Sequence, residues 1–596
     1  MRKLSIRGAM VWAILLPAAA GGAGEPGDFL VPGEVRERTL ASGEIHAYSV
    51  AASERALVAF VEQRGIDLVV EARSAAGSAA IVADAPNIQW GPEILVLPAG
   101  AAGGYRIEIR AGPLSVVAAR YSIRIEELPG SSPQASRTAA ALEQMSRAGQ
   151  IPTGTADGRR RALSAYRDVL AAWRALGDRR FEAEALYALG VLEQGGRELR
   201  PAIADFERAL ALWRAGNDAP RVAATLHRMG LAHLALGEMD AARAALREAL
   251  GSWQILKERF DEGNVRADLC AIEQTGGALA EALACYEETR ALFHDLGDPR
   301  NEGRMLNNLG GLYDLRGEPN LALEYYGQAL ERRRALGDRR GEAQTLNNMA
   351  VVERALGNWQ EALRVYDQVR QILAEFGEQG DLGQRAVLLS NIGFTYNSLG
   401  EPQRALTFLE EALALRRQIG DGLGEIVTLN NLGATWRRLG EPEQALALHR
   451  RALELAGSRD SPRLAALTRL RLAEVRLDAE EAQAARLALD DLEPALATLR
   501  RIGLRSSELQ ALGLRGRALA LSGREQEALP VLSEVVAGRR ALRDRAGEAE
   551  ALYALATCER SLGRLADARS HAEAAVARIE ELRTGFVSPD LRAAFL

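Results

Sequence analysis

Two periods divide the chain. Between residues 28 and 128, apolar and polar positions alternate along Glu44-Ile45-His46-Ala47-Tyr48-Ser49-Val50, along 57–62, along 105–110 and along 121–126. Alternation over such short runs, broken by Gly-, Pro- and Ala-rich turns, predicts the strands of a small antiparallel sandwich. From about residue 134 the alternation stops and helical spacing takes over. One pattern then recurs: MLNNLGGLYDLRGEPNLALEYYGQAL, TLNNMAVVERALGNWQEALRVYDQV, LLSNIGFTYNSLGEPQRALTFLEEAL and TLNNLGATWRRLGEPEQALALHRRAL. Gly237, Gly317, Gly357, Gly400, Gly440, Gly523 and Gly563 end the first helix of their units, 40 residues or a multiple of 40 apart, with two three-residue insertions. That ruler predicts about ten helical hairpins over 179–585, after a degenerate helical lead-in over 134–178.

The slots within a unit have a physical logic. Leu306, Leu309 and Tyr313 fall on one helical stripe. Gly310 and Ala322 are small where paired helices must approach, and Tyr326 and Ala329 extend the buried face of the second helix. Gly177-Asp178, Gly297-Asp298, Gly337-Asp338 and Gly420-Asp421 set a left-handed C′ glycine before an N-capping aspartate. In these residue types the units resemble the tetratricopeptide repeat (TPR). The resemblance implies a mainly α chain built as a right-handed α-solenoid of 40-residue hairpins, preceded by a small all-β sandwich. No single hairpin buries its apolar face alone, so stacked neighbours supply the stability.

Composition narrows the function. The chain is 596 residues long with net charge −6, which argues against a nucleic-acid partner, since that needs a basic surface. Residues 1–23 read as a signal peptide: Arg2, Lys3 and Arg7, then a short apolar run from Ala9 to Leu16, then small residues at a cleavage site. The run is too short to span a bilayer. The expectation is an exported protein, periplasmic or secreted, with no membrane span after cleavage. Cys270 takes a small-residue packing slot, Cys285 lies on the next helix, and Cys558 stands alone. The first two would pair only in an oxidising compartment, and with three cysteines in the chain the sequence favours free thiols.

The candidate binding residues lie opposite the buried stripe of the first helices. They are Arg304, Asn307, Asn308 and Asp314, then Gln344, Asn347, Asn348 and Arg354, then Asn391 and Asn397, then Asn430, Asn431, Arg437 and Arg438. His227 takes the slot of Asn307 two units earlier. By TPR resemblance this face lines the concave surface. Consecutive asparagines are poor helix formers, and an amide both donates and accepts, which suits it to an extended peptide backbone. A ladder of amides bonding neighbouring repeats explains the same pattern, and both readings stay open. Trp173, Trp213, Trp253 and Phe293, 40 residues apart, read as inter-repeat packing, and His233 and His449 as core aromatics. Asp67 reads as a turn residue rather than a calcium ligand. No phosphate loop, metal spacing or catalytic constellation stands clear of the repeats, so the chain is read as a non-enzyme without cofactors.

The segment VEQRGIDLVVEARSAAG and the run Gly104-Tyr105-Arg106 resemble bacterial pre-peptidase C-terminal-type domains over 28–128. The whole layout, closing on SPDLRAAFL in the junction segment 586–596, resembles the N-terminal half of bacterial CHAT-domain proteins, which are caspase-like peptidases. That resemblance implies the sensing or regulatory arm of a peptidase system, with a caspase-like domain as partner in cis or in trans. No catalytic His/Cys pair of that family falls within this sequence. The alternatives are a truncated record of such a peptidase and a passive envelope-assembly protein docking through its β domain.

Overall fold

The computed structural model describes residues 29–585 except 42, 66, 76–79, 84–89, 112–118, 129–131, 276–277, 378–379, 459–460 and 543. The signal-peptide and junction expectations, at 1–23 and 586–596, lie outside the described residues.

Nine strands form two sheets: β1 (Phe29–Leu30), β2 (Val35–Leu40), β3 (Ile45–Val50), β4 (Leu57–Arg64), β5 (Leu68–Ser74), β6 (Ile81–Ala83), β7 (Trp90–Leu97), β8 (Tyr105–Ala111) and β9 (Ala119–Glu127). One sheet runs β1-β3-β8-β5-β6 and the other β2-β9-β4-β7. The four alternating runs are β3, β4, β8 and β9. Pairing is antiparallel except for β1, which lies parallel to β3. The strand–turn–strand segment around Gly65 crosses between the sheets, with β4 in one and β5 in the other. Buried Gln63 holds that crossing: its Oε1 accepts from Leu68 N at 2.8 Å and its Nε2 donates to Glu93 Oε1 at 3.0 Å. Gly104 sits at φ +83°, and a Cβ there would meet Val50 O at 2.1 Å, so only glycine fits.

Helices Pro133–Gly149 and Ala156–Leu176 lead into ten hairpins. In order they span 179–215, 219–256, 259–295, 299–335, 339–374, 382–418, 422–458, 462–501, 505–541 and 545–585. The turns follow the chemistry of their residues. Asp298 accepts from Asn301 N at 3.0 Å, and Asp338, Asp421 and Asp544 cap their helices the same way. Four of the inter-hairpin turns are also gripped by an arginine. Arg334 to Glu342 and Arg417 to Glu425 are both 2.7 Å, and Arg500 to Glu508 and Arg540 to Glu548 are both 2.9 Å, always eight residues apart. Within a hairpin the small slot sets the helix spacing. A Cβ on Gly310 would meet the Tyr326 ring at 2.7 Å, and one on Gly433 the His449 ring at 2.5 Å.

Trp173, Trp213, Trp253 and Phe293 are all buried between hairpins. The cysteine expectation is corrected: Cys270 and Cys285 form a disulfide joining the two helices of the third hairpin. Small-residue packing brings those helices to a Cα–Cα distance of 5.5 Å, within bonding reach. Cys558 is free and buried. Among the described residues no helix is long and apolar enough to cross a membrane, and no three His, Cys, Asp or Glu side chains converge as a metal site requires.

Candidate peptide-binding groove

Successive first helices touch along most of the array, whereas second helices pack mainly on the first helices beside them. The first helices therefore line the inner side of the curve. Two adjacent positions on each of them behave differently. At the inner slot of Asn307, side chains are tied into the array. Asn307 is buried, and its Oδ1 accepts from Thr345 Oγ1 at 3.2 Å and from Asn348 Nδ2 at 3.3 Å. Asn391 Nδ2 donates to Asn347 Oδ1 at 2.9 Å. Asn430 donates to Thr468 Oγ1 at 2.8 Å and is held by His449 Nδ1 at 2.9 Å. Burial holds the His449 imidazole neutral by lowering its pKa to about 4.

The neighbouring slot faces the groove. It holds Asn308, Asn348, Asn391 and Asn431 in hairpins four to seven, each half-buried. Asn348 and Asn391 spend amide N–H groups on the previous hairpin, and their carbonyl oxygens have no partner among the described residues. Asn308 and Asn431 have no side-chain partner among the described residues. The remaining predicted residues divide between structural and open positions. Arg304 donates to Asn264 Oδ1 at 2.7 Å, and Arg437 to Asp478 Oδ1 at 2.7 Å. His227 Nε2 lies 2.6 Å from Asp268 Oδ2. Asn397 is buried, with its Oδ1 unpartnered. Gln344 and Arg438 are exposed, and Arg354 lies over the Phe394 ring at 4.4 Å. Burial raises the Asp314 carboxyl, against the pull of Arg354.

Sequence reasoning missed what covers the first three hairpins. The β2-β9-β4-β7 sheet packs its outer face onto their inner surface. Phe60 stacks on Phe181 with ring centroids 6.3 Å apart, and Trp90 sits 5.0 Å from Trp253. Glu62 pairs with Arg180 and, at 3.0 Å, with Arg221, which also pairs with Glu184 at 2.6 Å. Trp90 Nε1 donates to Asp261 Oδ1 at 3.3 Å, and Arg120 pairs with Glu258 at 3.0 Å. Burial pushes the Asp261 carboxyl up to about 7; the Trp90 bond opposes this and Glu258 adds to it. The slot filled by asparagine in hairpins four to seven holds Ala188, Arg228 and Asp268 in hairpins one to three. The asparagine row thus begins where the sandwich stops. The one sequence signal for this was the outward Phe60 and Trp90 in a region of few aromatics.

Tetratricopeptide-repeat profiles match residues 222–256, 263–335, 343–375 and 384–458. Over those residues the array is built of tetratricopeptide repeats. Among solved structures, a Rap protein complexed with Competence and Sporulation Factor is 15% identical over 61% of this chain and 99% of its own, with a TM-score of 0.40. The apo quorum sensor NprR from B. thuringiensis is 17% identical over 65% of this chain and 98% of its own, at 0.36. A STAND protein with a tetratricopeptide repeat sensor from Pyrococcus horikoshii is 13% identical over 68% of this chain and 57% of its own, at 0.39. At such TM-scores these likenesses carry no argument about partner or site. No curated protein matches the chain.

Proposed function

We propose that the TPR array is a non-enzymatic scaffold whose inner groove, over hairpins four to seven, clamps a protein segment in extended conformation. One observation carries this reading: four half-buried asparagines occupy one groove-facing slot in consecutive hairpins, and two of their amides make no side-chain bond to the array among the described residues. An extended segment presents alternating N–H and C=O groups that such amides can answer in both senses. Two asparagine rows side by side divide the two readings left open by the sequence: Asn307, Asn347 and Asn430 support the ladder, and Asn308 and Asn431 support peptide contact.

We place this scaffold outside the cytoplasm. The n-region, apolar run and small-residue site over 1–23 support export, and a disulfide is at home in an oxidising compartment. A role as the sensing arm of a CHAT-type peptidase rests on the resemblance of the layout alone.

The test is capture of partners from the envelope fraction of the producing cells, with crosslinking and mass spectrometry as readout. Asn308→Ala with Asn431→Ala should lower capture at least several-fold and leave the melting temperature within a degree or so, because neither amide bonds the array. Unchanged capture by the double variant would remove the groove as the binding surface.

A further inference from the structure

The open groove is more basic than the chain that forms it. At inner positions of hairpins four to seven the charged side chains are Arg304, Asp314, Arg354, Arg437 and Arg438. Arg437 is neutralised by Asp478 and Glu474 of the next hairpin. Arg304, Arg354 and Arg438 make no ion pair among the described residues. In a chain of net charge −6, three guanidiniums without an ion-pair partner among the described residues thus lie on one inner surface. The lone carboxyl among them, Asp314, is half-buried beside Arg354 and is shifted toward its neutral form.

Apolar groups alternate with these cations. Phe394 is 42% exposed with Arg354 over one face of its ring, while Val387 and Val427 hold one slot of hairpins six and seven at 38% and 44% exposure. Exposed apolar side chains on consecutive helices, flanked by unpaired arginines, favour a ligand that brings both apolar side chains and negative charge. We propose that the groove selects an acidic peptide carrying aromatic or branched apolar side chains. This rests on the reading of the groove as a peptide clamp. Four first helices, each about 10 Å from the next, span roughly ten residues of extended chain at about 3.3 Å per residue.

The test is selection of a phage-displayed random library, with peptides about ten residues long, on the full chain. Retained sequences should be enriched in Asp and Glu together with Phe, Leu or Val, and their binding should weaken as salt rises. Arg438→Glu, on an exposed last helical turn, should weaken a selected acidic peptide about tenfold. Arg354→Glu combined with Arg438→Glu should turn the selection toward Lys and Arg. Thermal melts establish that each variant is folded, and Arg438→Glu alone carries the test if Arg354→Glu is not. Binders without acidic enrichment that still depend on Asn308 and Asn431 would overturn the charge proposal and leave the groove standing. Binders indifferent to Asn308→Ala with Asn431→Ala would overturn the groove reading itself. A single-stranded DNA oligonucleotide that displaces the acidic peptides at equal concentration would overturn the assignment to a peptide.

Discussion

At the scale of single residues, two neighbouring asparagines in one motif have opposite duties. Asn307 belongs to a buried chain of bonds. Arg333 Nη1 donates to Gly341 O at 2.5 Å and to Thr345 Oγ1 at 2.6 Å, and Thr345 Oγ1 and Asn348 Nδ2 then donate to Asn307. Asn307→Ala strands two donors, one on fully buried Thr345, and should cost about 1–3 kcal/mol. Chemical denaturation should show that loss, whereas Asn308→Ala should show almost none. Equal stability of the two variants would mean that the bonds around Asn307 do not hold the array. The motif LNN contains both residues without marking which is which, because a single residue step, about 100° around the helix, separates groove from interface.

At the scale of elements, a hairpin is two helices of 17 residues kept close by small side chains and stopped by glycine-aspartate turns. All of this was legible in the sequence, since cap and turn chemistry acts within a few residues. The third hairpin departs from its neighbours: the small slot holds Cys270, bonded to Cys285 on the partner helix. Closing a loop of 15 residues restricts the unfolded chain by about 3 kcal/mol. Reductant should therefore lower the melting temperature of the wild type by several degrees and leave Cys285→Ser unaffected. A wild type indifferent to reductant would show that the hairpin stands without the bridge. The pairing escaped sequence reasoning because spacing does not report the distance between two helices.

At the scale of the whole molecule, the sandwich covers the inner surface of three hairpins and limits the open groove to those that follow. Docking brings Asp261, 5% exposed, against Trp90 without a cation to pair it among the described residues. Its carboxyl is raised from 3.8 to about 7, so the docked state holds a proton that the undocked state releases. The stability this contributes is fully present below pH 3.8 and is lost as pH rises through about 7. Thermal melts across that window should show the decline in the wild type. Asp261→Asn, neutral throughout, should flatten it, and an unchanged slope in that variant would place the proton elsewhere.

Sequence alone determined the repeat, its length, the helix ends, four of the nine strands and the position of the polar inner face. These follow from periodicity and from residues acting on their immediate neighbours. Tertiary structure decided which asparagines are spent on the array, which cysteines meet, and where the groove is open. Each of those depends on surfaces far apart in sequence: Trp90 reaches Asp261, and Asn391 reaches Asn347. The asparagines of hairpins four to seven face open space because the sandwich covers only the three hairpins before them, and no local pattern records that limit.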